Sequence, residues 1–229
     1  VGGNGAGGRP GESGAVAEWP ERQRLAYEKE ALGFYLSGHP LLRVRDEARR
    51  LATTDAARLD ELPDQSEVRL CGVVSQLREI VTRKGSRMCR AVLEDLTGFV
   101  ELVVFADLYQ EVEPLLKGEE PLLVTGTLDR SEERLTVLAT AVRRLADVRA
   151  AAARTVHIEL PAEGLDEGRL AALRDRLAAR PGRVAAVVHL RGVPAGHETL
   201  LRLPTPVEPS EALEAELESL FGRAVVRYE

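Results

Sequence analysis

The sequence is poor in the side chains that stack on bases and in those that cross-link chains. Its 229 residues include four phenylalanines, four tyrosines and one tryptophan, 4% aromatic in all, so stacking contributes little to any ligand site. Cys71 and Cys89 are too few and too far apart for a disulfide framework or a zinc motif, which leads us to expect free thiols in a cytoplasmic protein. The four histidines, His39, His157, His189 and His197, fall in no metal-ligand spacing, and HExxH, GxSxG and Walker sequences are missing. No cofactor, metal or catalytic centre is therefore expected. No apolar run approaches the roughly 20 residues that span a bilayer, so no membrane partner is expected either. Net charge is −6, which excludes a surface that is basic all over but allows one local basic loop.

The residues that are present divide the chain by composition and by period. Residues 1–17 form a glycine-rich stretch that reads as a disordered linker, and the chain begins with Val1, as a piece of a longer protein would. Residues 18–67 read as a helical linker region. A helix is expected from about Glu18 to Leu36, followed by Ser37, the Gly38-His39-Pro40 break and a second helix from about Pro40 to Leu51. Histidine beside glycine and proline invites a catalytic reading, yet glycine ends helices cheaply and proline forbids continuation, so His39 reads as a helix-exit residue. Arg43, Arg45, Arg49 and Arg50 read as a solvated face of the second helix.

From Val68 to about Ala146 the period is that of strands. VRLCGVVSQLREIV carries a glycine inside a long strand, RMCRAVLED and FVELVVF flank the turn Asp95-Leu96-Thr97-Gly98, and a short helix comes next at 106–117. Two further strands meet at a turn around Ser131–Glu133. Three strands, a helix and two strands are the order of a five-stranded OB-fold barrel. Alternation places Val100, Leu102 and Val104, with Cys89, Ala91 and Leu93, inside the barrel. A simple hairpin then sets Glu94 against Phe99, Val92 against Glu101 and Arg90 against Val103.

After an alanine-rich link at 147–154, residues 155–229 read strand, helix, strand, strand, helix, strand, a small α/β domain in ferredoxin-like order. Leu170, Leu173 and Leu177 stripe its first helix, and Leu213, Leu217, Leu220 and Phe221 its second. His157 and His189 read as packing or edge residues within strands. The fold class is thus α+β.

The strongest chemical signal lies between the first two barrel strands. From Arg78 to Arg90 the cations Arg78, Arg83, Lys84, Arg87 and Arg90 face a single acid, Glu79, which is +4 locally in a chain of −6. On OB folds the outer sheet face and the loops joining strands 1–2 and 4–5 are where single strands lie, so these residues are candidates for phosphate contact. Phe99 is the one aromatic expected on that face. Arg130 and Arg134 flank the 4–5 turn but share it with Asp129, Glu132 and Glu133.

EKEALGFYLSGHPL at 28–41, together with LCGVVSQLREIVTRKGSRMCRAVLEDLTGFVELVVF at 70–105, resembles the C-terminal part of the alpha subunit of bacterial replicative DNA polymerase III, DnaE type. The match runs from about Trp19 through Leu145 and is looser from Val156 onward. The resemblance implies that the OB module contacts single-stranded template DNA, with Arg83, Lys84, Arg87 and Arg90 as phosphate contacts. It also implies that the terminal domain contacts the tau subunit of the clamp-loader assembly alongside other holoenzyme subunits. In that family the polymerase carboxylates lie upstream, so this segment is not expected to polymerise DNA, although its parent is a DNA-directed DNA polymerase, a nucleotidyltransferase. Two other readings stay open: an OB module that binds only protein, and an RNA-binding OB domain of an aminoacyl-tRNA synthetase or helicase.

Overall fold

The computed structural model describes residues 38–131, 134–192 and 197–229. The helix expected at 18–36, the glycine-rich stretch before it and part of the 131–133 turn lie outside these residues. His39 stands at the start of a helical turn: its Nδ1 accepts a hydrogen bond from the Leu41 N–H at 3.1 Å, capping a 3-10 turn at Pro40–Val44. Pro40 has no N–H, so Leu41 carries the first free donor, and the imidazole meets it. The histidine thus serves as the N-cap of the Pro40–Val44 turn, and the helix it was expected to end lies outside the described residues. The 3-10 turn runs directly into helix α1 (Arg45–Leu51), and a second 3-10 turn covers Ala56–Glu61.

Strands β1 (Glu67–Val81), β2 (Arg87–Glu94), β3 (Phe99–Val104), β4 (Leu122–Arg130) and β5 (Leu135–Arg144) close into a barrel in the order β1-β2-β3-β5-β4. The β2–β3 register is Glu94 to Phe99, Val92 to Glu101 and Arg90 to Val103, as the alternation predicts. Cys89, Ala91, Leu93, Val100, Leu102 and Val104 are buried in the barrel core. Helix α2 (Ala106–Leu116) adds Tyr109, Val112 and Leu116 to that core. Pro114 lies in the last turn of α2, where it ends the helix soon after without breaking it.

The barrel closes through a tight approach of β4 to β5. At Gly126, beside a shift of register, a Cβ would lie 2.5 Å from the carbonyl oxygen of Leu138. Gly126→Ala should therefore cost about 1–3 kcal/mol, read as a lower urea midpoint with unchanged slope.

Outside the barrel, Leu41 and Ala48 from the linker pack on Cys71 of β1, Leu123 of β4 and Leu145. This cluster covers one side of the barrel wall. Burial pushes the Cys71 thiol up to about 12 and the Cys89 thiol up to about 11, so both stay protonated and act as packing groups.

The alanine-rich stretch expected as a linker is helix α3 (Leu145–Ala152). Beyond it come β6 (Thr155–Pro161), α4 (Glu167–Ala178), β7 (Pro181–Arg191), β8 (Glu198–Arg202), α5 (Glu211–Phe221) and β9 (Val226–Tyr228). The order of elements is the expected one. The sheet order β8-β7-β6-β9, with β6 parallel to β7, differs from ferredoxin-like pairing, in which the first strand lies beside the third. The reason lies in the strands themselves. β7 has eleven residues with Ala186 and Val188 buried, whereas all five residues of β8 are exposed, so β7 suits the interior and β8 the edge. Leu173, Leu177, Leu213 and Leu217 are buried, while Leu170 at the start of α4 is 44% exposed.

A row of arginines joins the barrel to this second unit. Along one face of α5, Glu211, Glu214 and Glu218 recur at three- and four-residue spacing. Glu211 meets Arg144 at the end of β5, Glu214 meets Arg149 of α3 at 3.5 Å, and Glu218 meets Arg43 of the linker at 2.7 Å. Arg149, only 7% exposed at its side chain, also pairs with Glu47 of α1 and lies over the Tyr228 ring at 5.4 Å. Glu47 in turn accepts from the Tyr228 N–H at 3.3 Å. Three segments distant in sequence thus meet at one guanidinium.

Candidate nucleic-acid interface

β1 runs 15 residues, longer than the barrel needs, and with β2 forms a ribbon from Val81 paired to Arg87 down to Gln76 paired to Val92. A bulge between Val74 and Gln76, where the Ser75 hydroxyl donates to the Val92 carbonyl at 3.3 Å, resets which residues face outward. Beyond the bulge, Arg78 lies directly opposite Arg90, and Arg90 lies opposite Val103. Alternation then puts Gln76, Arg78 and Ile80 on one side with Met88, Arg90, Val92, Phe99 and Glu101, and with Val103, which is buried. Phe99 is 66% exposed there.

The tip of the ribbon is a closed turn. The Thr82 N–H donates to the Ser86 carbonyl at 2.8 Å, the Gly85 N–H to the Thr82 carbonyl at 2.9 Å, and the Ser86 N–H to the Thr82 hydroxyl at 3.2 Å. Gly85 takes φ 82°, a conformation glycine adopts without strain. Arg83 and Lys84 are exposed at this tip. With Arg78, they have no acidic partner among the described residues.

The other predicted cations have different surroundings. Arg87 points toward α2, where it pairs with Glu113 and, at 3.4 Å, with Glu79, and lies over the Tyr109 ring at 5.7 Å. Lys117 completes the group at 2.6 Å from Glu79 and 2.7 Å from Glu113. Hydrogen bonds from Lys117 hold both carboxyls below the usual range. Arg87 is therefore neutralised and ties the ribbon to the helix. Arg90 has Glu101 at 3.5 Å and remains on the outer face. Arg130 donates to the carbonyls of Asp60 at 2.7 Å and Leu62 at 3.2 Å, which fastens the Ala56–Glu61 turn to the barrel. Arg134 sits in a turn of which residues 132–133 are not described.

The Asp95-Leu96-Thr97-Gly98 turn fixes the far end of the same surface. Asp95 Oδ1 accepts from the N–H groups of Thr97 at 2.7 Å and Gly98 at 2.9 Å, while Oδ2 accepts from the Ala56 N–H at 2.7 Å. One carboxylate thus shapes the β2–β3 turn and caps the adjoining 3-10 turn. Sequence reasoning found the turn but missed its contact, which spans 39 residues.

The arrangement is a curved, partly apolar face carrying Phe99, bordered by Arg78 and Arg90 and extended by a tip bearing Arg83 and Lys84. Its chemistry suits a flexible polyanion: point charges for phosphates and one ring for a base. His157 and His189 take no part, since they lie on the second sheet. There His157 Nδ1 and His189 Nε2 are 2.7 Å apart, and burial lowers the His157 pKa.

A family model described as an OB-fold nucleic acid binding domain matches residues 68–145. The DNA polymerase III subunit alpha of Thermus aquaticus is 40% identical over 172 residues, 73% of this chain and 14% of that protein. The subunit of the same name from Neisseria meningitidis is 35% identical over 91% of this chain and 18% of its own length. That of Escherichia coli is 30% identical over 92% of this chain and 18% of its own length. The chain therefore spans less than a fifth of the curated relatives it matches.

Proposed function

This chain is homologous over most of its length to bacterial DNA polymerase III alpha subunits, and on that premise we propose that it is the C-terminal part of such a subunit, serving to hold single-stranded template DNA. The observation that carries the reading is that Arg78, Arg83 and Lys84 have no acidic partner among the described residues and lie with Arg90 and the exposed Phe99 on the outer side of β1-β2-β3. The strand lies across β1-β2-β3 with its phosphates on the arginines and a base against Phe99. The second unit is assigned to contact with the tau subunit of the clamp-loader assembly, and the segment works in the cytoplasm within a holoenzyme. It has no catalytic centre of its own. Nucleotidyl transfer belongs to the rest of the subunit.

With three to four phosphates engaged, log affinity for a single strand should fall with log salt at a slope of about −2 to −3. Fluorescence anisotropy of a labelled oligothymidylate from low to moderate salt measures this. A flat dependence would count against the reading, and so would stronger binding of a duplex.

A further inference from the structure

The edge strand β8 is complementary to itself, and from this we infer that a second copy of the chain docks there, β8 against β8 in antiparallel register. β8 ends the sheet order β8-β7-β6-β9, and among the described residues nothing pairs with its outer edge. Its sequence is Glu198-Thr199-Leu200-Leu201-Arg202, and all five residues are exposed, Leu200 by 60% and Leu201 by 46%. Open edges bearing apolar side chains are templates for another strand.

The backbone fixes which register is possible. The Gly192 N–H donates to the His197 carbonyl at 3.0 Å and the Leu203 N–H to the Ala186 carbonyl at 2.9 Å, at the two ends of the β7–β8 ladder. Antiparallel ladders alternate, so residues 197, 199, 201 and 203 turn their polar groups toward β7. Glu198, Leu200 and Arg202 therefore turn their N–H and C=O groups outward. A two-fold axis at Leu200 pairs Leu200 with its copy and Glu198 with Arg202 of the second copy, and both pairings fall on outward-directed residues. Every group on the open edge then gains a hydrogen-bonding partner.

The side chains agree with this register. Arg202 has no acidic partner among the described residues. Glu198 contacts His189 at 3.0 Å and Arg191 at 3.3 Å, in both cases through Oε1, which leaves Oε2 for Arg202 of the second copy. The two-fold operation makes that ion pair twice. Leu200 meets its copy on one face, and Leu201 meets Thr199 of the second copy on the other. A shift of register by one residue sets inward-turned groups against outward-turned ones and separates the charges, so only one alignment satisfies both. The area of one short strand is small for a stable dimer, so the association is weak and depends on concentration.

Sedimentation equilibrium of the whole chain at increasing concentration tests the inference. The mass is expected to rise from 25.0 kDa toward about twice that value. Leu200→Pro removes an outward N–H and leaves the β7 ladder intact, so the mass should stay monomeric. Arg202→Glu sets like charges opposite each other and should do the same, and adding Glu198→Arg to it should restore the dimer. A wild-type mass that stays at the monomer value up to the highest soluble concentration overturns the proposal, and leaves the edge to an extended chain of some other protein. A dimer that survives both Leu200→Pro and Arg202→Glu overturns it as well.

Discussion

Arg149→Ala is expected to lower the stability of the chain by about 3–5 kcal/mol, nearer the lower figure, because one of the two carboxylates it leaves behind is partly exposed. The side chain of Glu47 is 12% exposed and that of Glu214 25%. Removing the guanidinium strands both acids close together, takes away the cation over the Tyr228 ring and loosens α1, α3 and α5 from one another at once. Arg149→Lys keeps the charge but loses the planar fork that serves two carboxylates, so an intermediate loss is expected. Replacing Arg149, Glu47 and Glu214 together by apolar residues of similar size should cost less than Arg149→Ala alone, since no charge is then left unpaired. Urea unfolding monitored by circular dichroism measures all three.

The same substitution should make stability depend on pH in a definite direction. Burial already raises the Glu214 carboxyl above its ordinary range, and Arg149 offsets part of that. Without Arg149 the folded-state pKa rises further. A carboxyl whose folded pKa exceeds its unfolded value supports the fold while protonated, and that support is lost as pH rises through the folded pKa. The gap between wild type and Arg149→Ala should therefore be narrow at about pH 4, where an ordinary glutamate is still largely protonated, and wide at about pH 8. A gap that narrows with rising pH would contradict the ion-pair reading.

The second large effect concerns DNA. Alanine at Arg78, Arg83, Lys84 and Arg90 together should reduce single-strand affinity by about two to three orders of magnitude near 0.1 M salt and bring the salt slope close to zero. The fold should survive, since among the described residues Arg78, Arg83 and Lys84 have no acidic partner to strand, and Arg90 is exposed with Glu101 3.5 Å away. Phe99→Ala should weaken binding by about 1–3 kcal/mol with the slope unchanged, because stacking releases no counterions. Arg87→Ala separates the two kinds of arginine. It breaks the group formed with Glu79, Glu113 and Lys117, so it should lower stability while leaving the salt slope nearly intact. Equal loss of slope from Arg87→Ala and from the fourfold variant would show that Arg87 belongs with the DNA-binding cations after all.

The barrel was legible in the sequence because one side of each strand is buried: with a period of two, Val100, Leu102 and Val104 can only face inward, and the pairing of Glu94 with Phe99 comes from a four-residue turn. The basic loop was legible as a density of charge. Its division was not, since Arg87 is neutralised by Glu113 across 26 residues and Arg130 is held by carbonyls some 70 residues away. Nor did the sequence mark residues 147–154 as a helix at a joint. Alanine-rich composition describes a linker and a small packed helix equally well, and the residue that decides between them, Arg149, finds Glu47 across 102 residues. The order of strands in the second sheet was not legible for a related reason: the sequence of elements, itself as expected, allows several pairings, and burial of β7 against exposure of β8 selects one.

Amide chemical-shift mapping of the chain with a short oligothymidylate bears most directly on whether β1-β2-β3 holds single-stranded DNA. The largest shifts are expected on Arg78, Arg90, Phe99 and the Thr82–Ser86 turn, with little change in β6 to β9. Shifts centred on the second sheet, or none on β1-β2-β3 at saturating oligonucleotide, would contradict that assignment.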